Sequence, residues 1–84
     1  MNDCLITFRS VTPAQRGEAI LRRAGIICTI SRTPKWMEEQ GCGYSLRVRH
    51  AQARRCAELL RAERVAFRKI YLLRENGNAE ELEL

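Results

Sequence analysis

Histidine is almost missing from this chain: His50 is the only one among 84 residues. It lies eight residues beyond Cys42, more than ~20 Å along an extended strand, so a Cys–His catalytic pair would need a second subunit to close the gap. The plainer reading of His50 is a helix cap or an exposed side chain. A serine-centred triad motif, a glycine-rich phosphate loop and a carboxylate cluster are all absent, which leaves ordinary hydrolase or kinase chemistry without its groups. Paired cysteine motifs are lacking too. Cys4, Cys28, Cys42 and Cys56 are nearly evenly spaced and form no CxxC or CxH unit of the kind used for zinc or dithiol chemistry, although the count alone leaves a disulfide framework open. No apolar run approaches the ~18 residues of a membrane span. The opening MNDCLITF has no basic region, long apolar segment or small-residue cleavage site, so a reducing cytoplasm is the expected compartment.

The charge that is present leans one way. Lysine and arginine total 15 against 10 aspartates and glutamates, a net +5, and almost all of the positive charge is arginine spread along the chain. Such an excess attracts nucleic acid, acidic proteins or small anions without choosing among them, and a solvated arginine-rich face explains it at least as well. An apolar fraction of 45% argues against general disorder. A chain this short makes one domain that buries roughly 60–65% of its extended surface, so the core is small and pairing with a second copy is a natural supplement.

The order of elements can be read from periodicity. Cys4 to Phe8 is a run of strand formers, as expected of a central strand. Thr12 then offers a cap, Pro13 a first helical position, and Gln15 stands three residues past the cap. Ala14, Gly17, Ile20, Leu21 and Ala24 follow a helical period, and Gly25 is the expected stop. IICTISR alternates, with Ile26, Cys28 and Ile30 on one face. YSLRVRH alternates more sharply, setting Tyr44, Leu46 and Val48 against Ser45, Arg47 and Arg49, which implies a sheet with one solvated face. Between these strands TPKWMEEQGCG reads as a short helical turn or an irregular loop. A second helix follows with Ala53, Cys56, Ala57 and Leu60 on one stripe, then a last strand in AFRKIYLL. The result is βαββαβ, an α+β ferredoxin-like plait with a four-stranded antiparallel sheet and two helices on one face. It is expected to fill residues 1–74, with 75–84 as an acidic, flexible tail.

Three thiols fall in apolar patterns: Cys4 in the first strand, Cys28 in line with Ile26 and Ile30, and Cys56 on the helical stripe. There cysteine behaves as a small hydrophobe. Cys42 stands apart, between Gly41 and Gly43 at the return of the loop. The glycines free the backbone to expose its sulfur or to bring a substrate close, or they serve only the reversal of the chain and the cysteine is incidental. Activation needs a thiolate. A helical turn ending just before Cys42, with Glu38 and Glu39 beside it, works against one; Arg32, Lys35 and Arg47 compensate only if the loop folds back on them. RNA recognition is disfavoured, because Tyr44 and Phe8 are the only aromatics of the strands that would stack bases.

From CLITFRSVTPAQRGEAILRRAGI to CGYSLRV, over about residues 4 to 73, the chain resembles the small domain family of selenium/sulfur carrier-like proteins. The resemblance rests on Phe8 with Ser10, on Glu18 with Leu21 and Gly25, on Pro34 in the loop, and on Cys42 with Gly43 before an alternating strand. The loop PKWMEEQG departs from the family's small, serine-rich segment by carrying Trp36 and Met37, while Lys35 keeps the basic position after the proline. This departure bears on the substrate, or supplies an apolar contact for a partner or second subunit. The resemblance implies that Cys42 carries sulfur as a persulfide, or selenium, between a protein donor and a protein acceptor, with no resident cofactor or metal. Gly41 and Gly43 would give access and amides to the bound anion, and Arg32, Lys35 or Arg47 would offset its charge. The alternative reading is a noncatalytic dimeric adaptor or ligand-sensing domain.

Overall fold

A computed structural model describes residues 2–35 and 43–84. Its elements run β1 (Asp3–Phe8), α1 (Val11–Arg23), β2 (Thr29–Arg32), β3 (Tyr44–Arg49), a 3-10 turn (His50–Gln52), α2 (Ala53–Ala62), β4 (Ile70–Leu73) and β5 (Ala79–Leu82). The strands form one sheet in the order β2-β3-β1-β4-β5, and each neighbouring pair is antiparallel. The first four strands and the two helices thus make the expected α+β plait.

Strand registers explain which face is buried. Cys4, Ile6 and Phe8 stand opposite Val48, Leu46 and Tyr44 on β3, and Cys4 and Ile6 stand opposite Leu72 and Ile70 on β4. Paired positions share a face, so these side chains form one apolar layer. Ala14 and Leu21 of α1 and Ala53, Cys56, Ala57 and Leu60 of α2 join the same buried cluster. Gly17 lets α1 approach closely: a Cβ there would stand 3.2 Å from Phe8 Cζ, Leu46 Cδ1 and Leu60 Cδ2 alike.

Both helices end in the same backbone motif. At the end of α1 Gly25 takes φ +82°; its N–H donates to Arg22 O and that of Ile26 to Leu21 O. At the end of α2 Arg64 takes φ 58°; its N–H donates to Arg61 O and that of Val65 to Leu60 O. This is the Schellman arrangement, built once with the favoured glycine and once with arginine. The helices also tie each other's ends: Arg16 Nη2 donates to Glu63 O at 3.1 Å, and Arg55 Nη2 to Ala24 O at 3.5 Å.

Three local expectations are corrected. The helix starts two residues before Pro13, with Ser10 as the extended cap residue rather than Thr12. Pro13 is tolerated at the third helical position because the first-turn N–H groups have no intrahelical acceptor to lose. The alternation in IICTISR is real, with Ile26 and Cys28 buried and Ile27 exposed, but the paired strand begins only at Thr29. The segment expected to be a flexible tail from Glu75 instead turns over Glu75, Asn76 and Gly77 and adds β5 to the sheet. Leu82 and Leu84 pack against the core, which gives this acidic strand an apolar reason to pair. The expected helical turn between β2 and β3 falls largely on residues 36–42, outside the described residues.

Candidate functional site

Cys42 and Gly41 lie outside the described residues, so the site is defined by what flanks them. Thr33 and Gly43 close the neck of the β2–β3 connection. The Thr33 N–H donates to Gly43 O at 3.0 Å, one step beyond the Arg32–Tyr44 pair. Beside it the hydroxyls of Thr33 and Ser45 share a buried hydrogen bond of 2.7 Å. Two short polar side chains and one backbone bond therefore hold together the two ends of the segment that carries Cys42. Cys42 itself is one peptide bond from this neck.

The expected cations do not all gather there. Arg32 sits at the neck and places its guanidinium 5.8 Å from the centroid of the Tyr44 ring, a contact that fixes its direction while leaving its charge in place. Lys35 is exposed on the first turn of the connection. Arg47 is elsewhere. It stands four residues along β3 from Gly43, about 13 Å by strand rise, and its Nε donates to Asp3 Oδ2 at 2.8 Å.

Another cation was overlooked in the sequence. The β1–β3 ladder ends at Phe8–Tyr44, so Arg9 and Gly43 leave the sheet at the same end, and Arg9 is exposed. The chain then enters α1 at Ser10, whose side chain makes no capping hydrogen bond. The N-terminus of a helix is the positive end of its dipole, so Arg9, Arg32, Lys35 and the start of α1 all lie towards this end of the sheet. The signal was present in the order FRSVT: an arginine between the end of a central strand and a helix start must lie beside whatever the next strand brings to that end.

The other thiols are withdrawn from chemistry. Cys4, Cys28 and Cys56 are free and buried. Burial, with a smaller push from Asp3, raises the Cys4 thiol to about 11. Burial does the same for Cys56, to about 11, with neighbouring Cys28 adding to it. Cys28 is also raised by burial, partly offset by Arg22; its Sγ lies 3.9 Å from Glu18 O, a weak donor contact. A protonated, buried thiol is neither a nucleophile nor a ligand.

Among the described residues no group of three or more histidine, cysteine, aspartate or glutamate side chains could hold a metal ion, and no helix is long and apolar enough to cross a membrane. His50 is exposed at the start of the 3-10 turn, where its N–H donates to Asn2 O at 3.2 Å. Comparison with curated proteins and with solved structures gives no match. Residues 3–72 match the family described as "Putative Se/S carrier protein-like", and the chain belongs to that family.

Proposed function

We propose that the chain is a single-cysteine carrier, with Cys42 taking a sulfur or selenium atom from a donor protein and passing it to an acceptor protein in a reducing cytoplasm. Family membership across residues 3–72 is the observation that carries this reading. The burial of Cys4, Cys28 and Cys56 supports the choice of thiol, and the Arg9, Arg32 and Lys35 cations near the neck support its charge state.

The transfer needs no external oxidant or reductant. The Cys42 thiolate attacks the outer sulfur of a donor persulfide. The donor's S–S bond breaks, its inner sulfur leaves as a thiolate, and Cys42 now bears the outer atom as a persulfide anion. A nucleophile on the acceptor then attacks that outer atom and Cys42 leaves as the thiolate. Selenium follows the same two displacements from a donor S–Se bond. Both charged states of Cys42 are anions, so cations and helix N-terminal amides at this end of the sheet favour thiolate and persulfide alike. Gly41 and Gly43 add no side chains that would crowd the incoming sulfur.

The test is loading followed by intact mass. A cysteine desulfurase carrying its own persulfide is expected to add one sulfur atom's mass to the unaltered chain and to Cys28→Ser. Cys42→Ser is expected to gain none. Equal loading of Cys42→Ser would remove Cys42 from the reaction.

A further inference from the structure

Among the described residues the outer edge of β2 has no strand beside it. The Thr33–Gly43 bond fixes which backbone groups face that edge. In an antiparallel ladder the direction alternates, so Thr29, Ser31 and Thr33 turn their N–H and C=O groups towards β3, while those of Ile30 and Arg32 point outward. Cys28 also points outward, but its carbonyl already accepts Arg22 Nη2 at 3.2 Å. What remains open is a rung of two residues, Ile30 and Arg32, with the alternate donors and acceptors that an added strand uses.

The surroundings of this rung have a defined chemistry. Ile27, just ahead of β2, is 87% exposed and is the one exposed large apolar side chain among the described residues. Arg22 is paired with Glu18 at 3.4 Å, which leaves Arg23, Arg32 and Lys35 as the exposed cations before and along this edge, with no carboxylate in the sequence between Arg23 and Lys35. An extended segment that suits this edge is therefore acidic with an apolar residue to cover Ile27. A second copy fits less well. Pairing β2 on β2 joins two edges of the same positive sign. Pairing the acidic β5 of one copy on β2 of another is a head-to-tail contact that does not close, and Glu81 and Glu80 are already held by Lys69 and Arg74 of their own chain.

We infer that the outer edge of β2 takes an extended, acidic segment of a partner protein, paired on Ile30 and Arg32 and covering Ile27. β2 leads directly into Thr33 and Lys35, so a segment bound there runs alongside the approach to Cys42. In the sulfur-relay reading, on which this last point rests, the edge is where a donor or acceptor aligns before transfer.

Amide hydrogen exchange on the isotope-labelled full chain tests the docking. The probes are a blocked peptide of alternating glutamate and valine and its lysine–valine counterpart, each on the order of 1 mM. The acidic peptide is expected to slow exchange at the Ile30 and Arg32 amides about tenfold, and raised salt or Ile27→Asp should remove the effect. Cys42→Ser should keep it. No slowing by the acidic peptide, or equal slowing by the basic one, overturns the proposal. Slowing that grows with protein concentration and needs no peptide overturns it in favour of a second copy. Because Cys42→Ser and sulfur loading are read separately, loss of docking leaves the relay standing, and loss of the relay leaves docking standing.

Discussion

Thr33 donates its backbone N–H to the carbonyl of Gly43 at 3.0 Å, which brings together the two ends of the segment containing Cys42. In the proposed relay Cys42 would act one peptide bond from this closed neck. The same end of the sheet holds Arg9, Arg32 and the start of α1.

The neck should be sensitive to its buried hydroxyl pair. Thr33→Val removes one partner of the 2.7 Å bond and leaves the Ser45 hydroxyl buried and unpaired, which costs about 1–3 kcal/mol. Ser45→Ala should cost a similar amount, and the double variant less than the sum, because the unpaired group has gone. Urea unfolding of the four proteins measures this coupling; strict additivity would show that the pair is not linked.

The arginine in the second helix-end motif is a site for stabilisation. Arg64 adopts φ 58°, a conformation that costs a residue with a side chain about 1 kcal/mol. Arg64→Gly should therefore raise stability by up to about 1 kcal/mol, and Gly25→Ala, at φ +82°, should lower it by a similar amount. Thermal unfolding of the two variants should move in opposite directions.

The core thiols predict an alkaline limit to stability. Folding raises Cys4 and Cys56 from the ordinary value of 9.0 to about 11, so the folded state keeps protons that the unfolded chain has lost. Their contribution is complete below pH 9 and is lost as pH rises through about 11, because unfolding releases protons across that interval. Cys56→Ala should lower stability at neutral pH by leaving a small cavity, yet flatten its decline between these limits. Denaturant midpoints taken across the interval separate the two effects.

Thiol accessibility should divide the cysteines one against three. At neutral pH an alkylating reagent should modify Cys42 while Cys4, Cys28 and Cys56 stay protected until the protein unfolds. Arg9→Ala and Arg32→Ala should each slow the Cys42 reaction about two- to fivefold, the rate equivalent of the ~0.5–1 kcal/mol typical of an exposed charge contact. Peptide mapping after timed alkylation gives each rate.

The stripe Ala53, Cys56, Ala57 and Leu60 was legible in the sequence because only one period places all four on a helix face, and all four are buried. The opposition of Tyr44, Leu46 and Val48 to Arg47 and Arg49 was legible for the same reason in a strand, but Ser45, expected on the solvated face with those arginines, is fully buried against Thr33. What periodicity did not supply was position along an element. Arg47 was near Cys42 in sequence, yet a strand carries it away at about 3.4 Å per residue. Arg9 was far in sequence, but the Phe8–Tyr44 pair puts the residues beyond it, Arg9 and Gly43, at the same end of the sheet. β5 was hidden by its glutamates, although Asn76-Gly77 followed by Leu82 and Leu84 at alternate positions is a hairpin signal. The two ends of the sheet were thus harder to read than its faces, since they depend on register between distant segments.

The most direct measurement of the relay is a chase of labelled sulfur. Cys42 is loaded with an isotopically heavy sulfur from a persulfide donor, the donor is removed, and an acceptor thiol is added. The heavy atom is expected to leave Cys42 at the rate at which it appears on the acceptor, with the Cys42 thiol regenerated. A label that remains on the chain, or that leaves only as free sulfide, would contradict it.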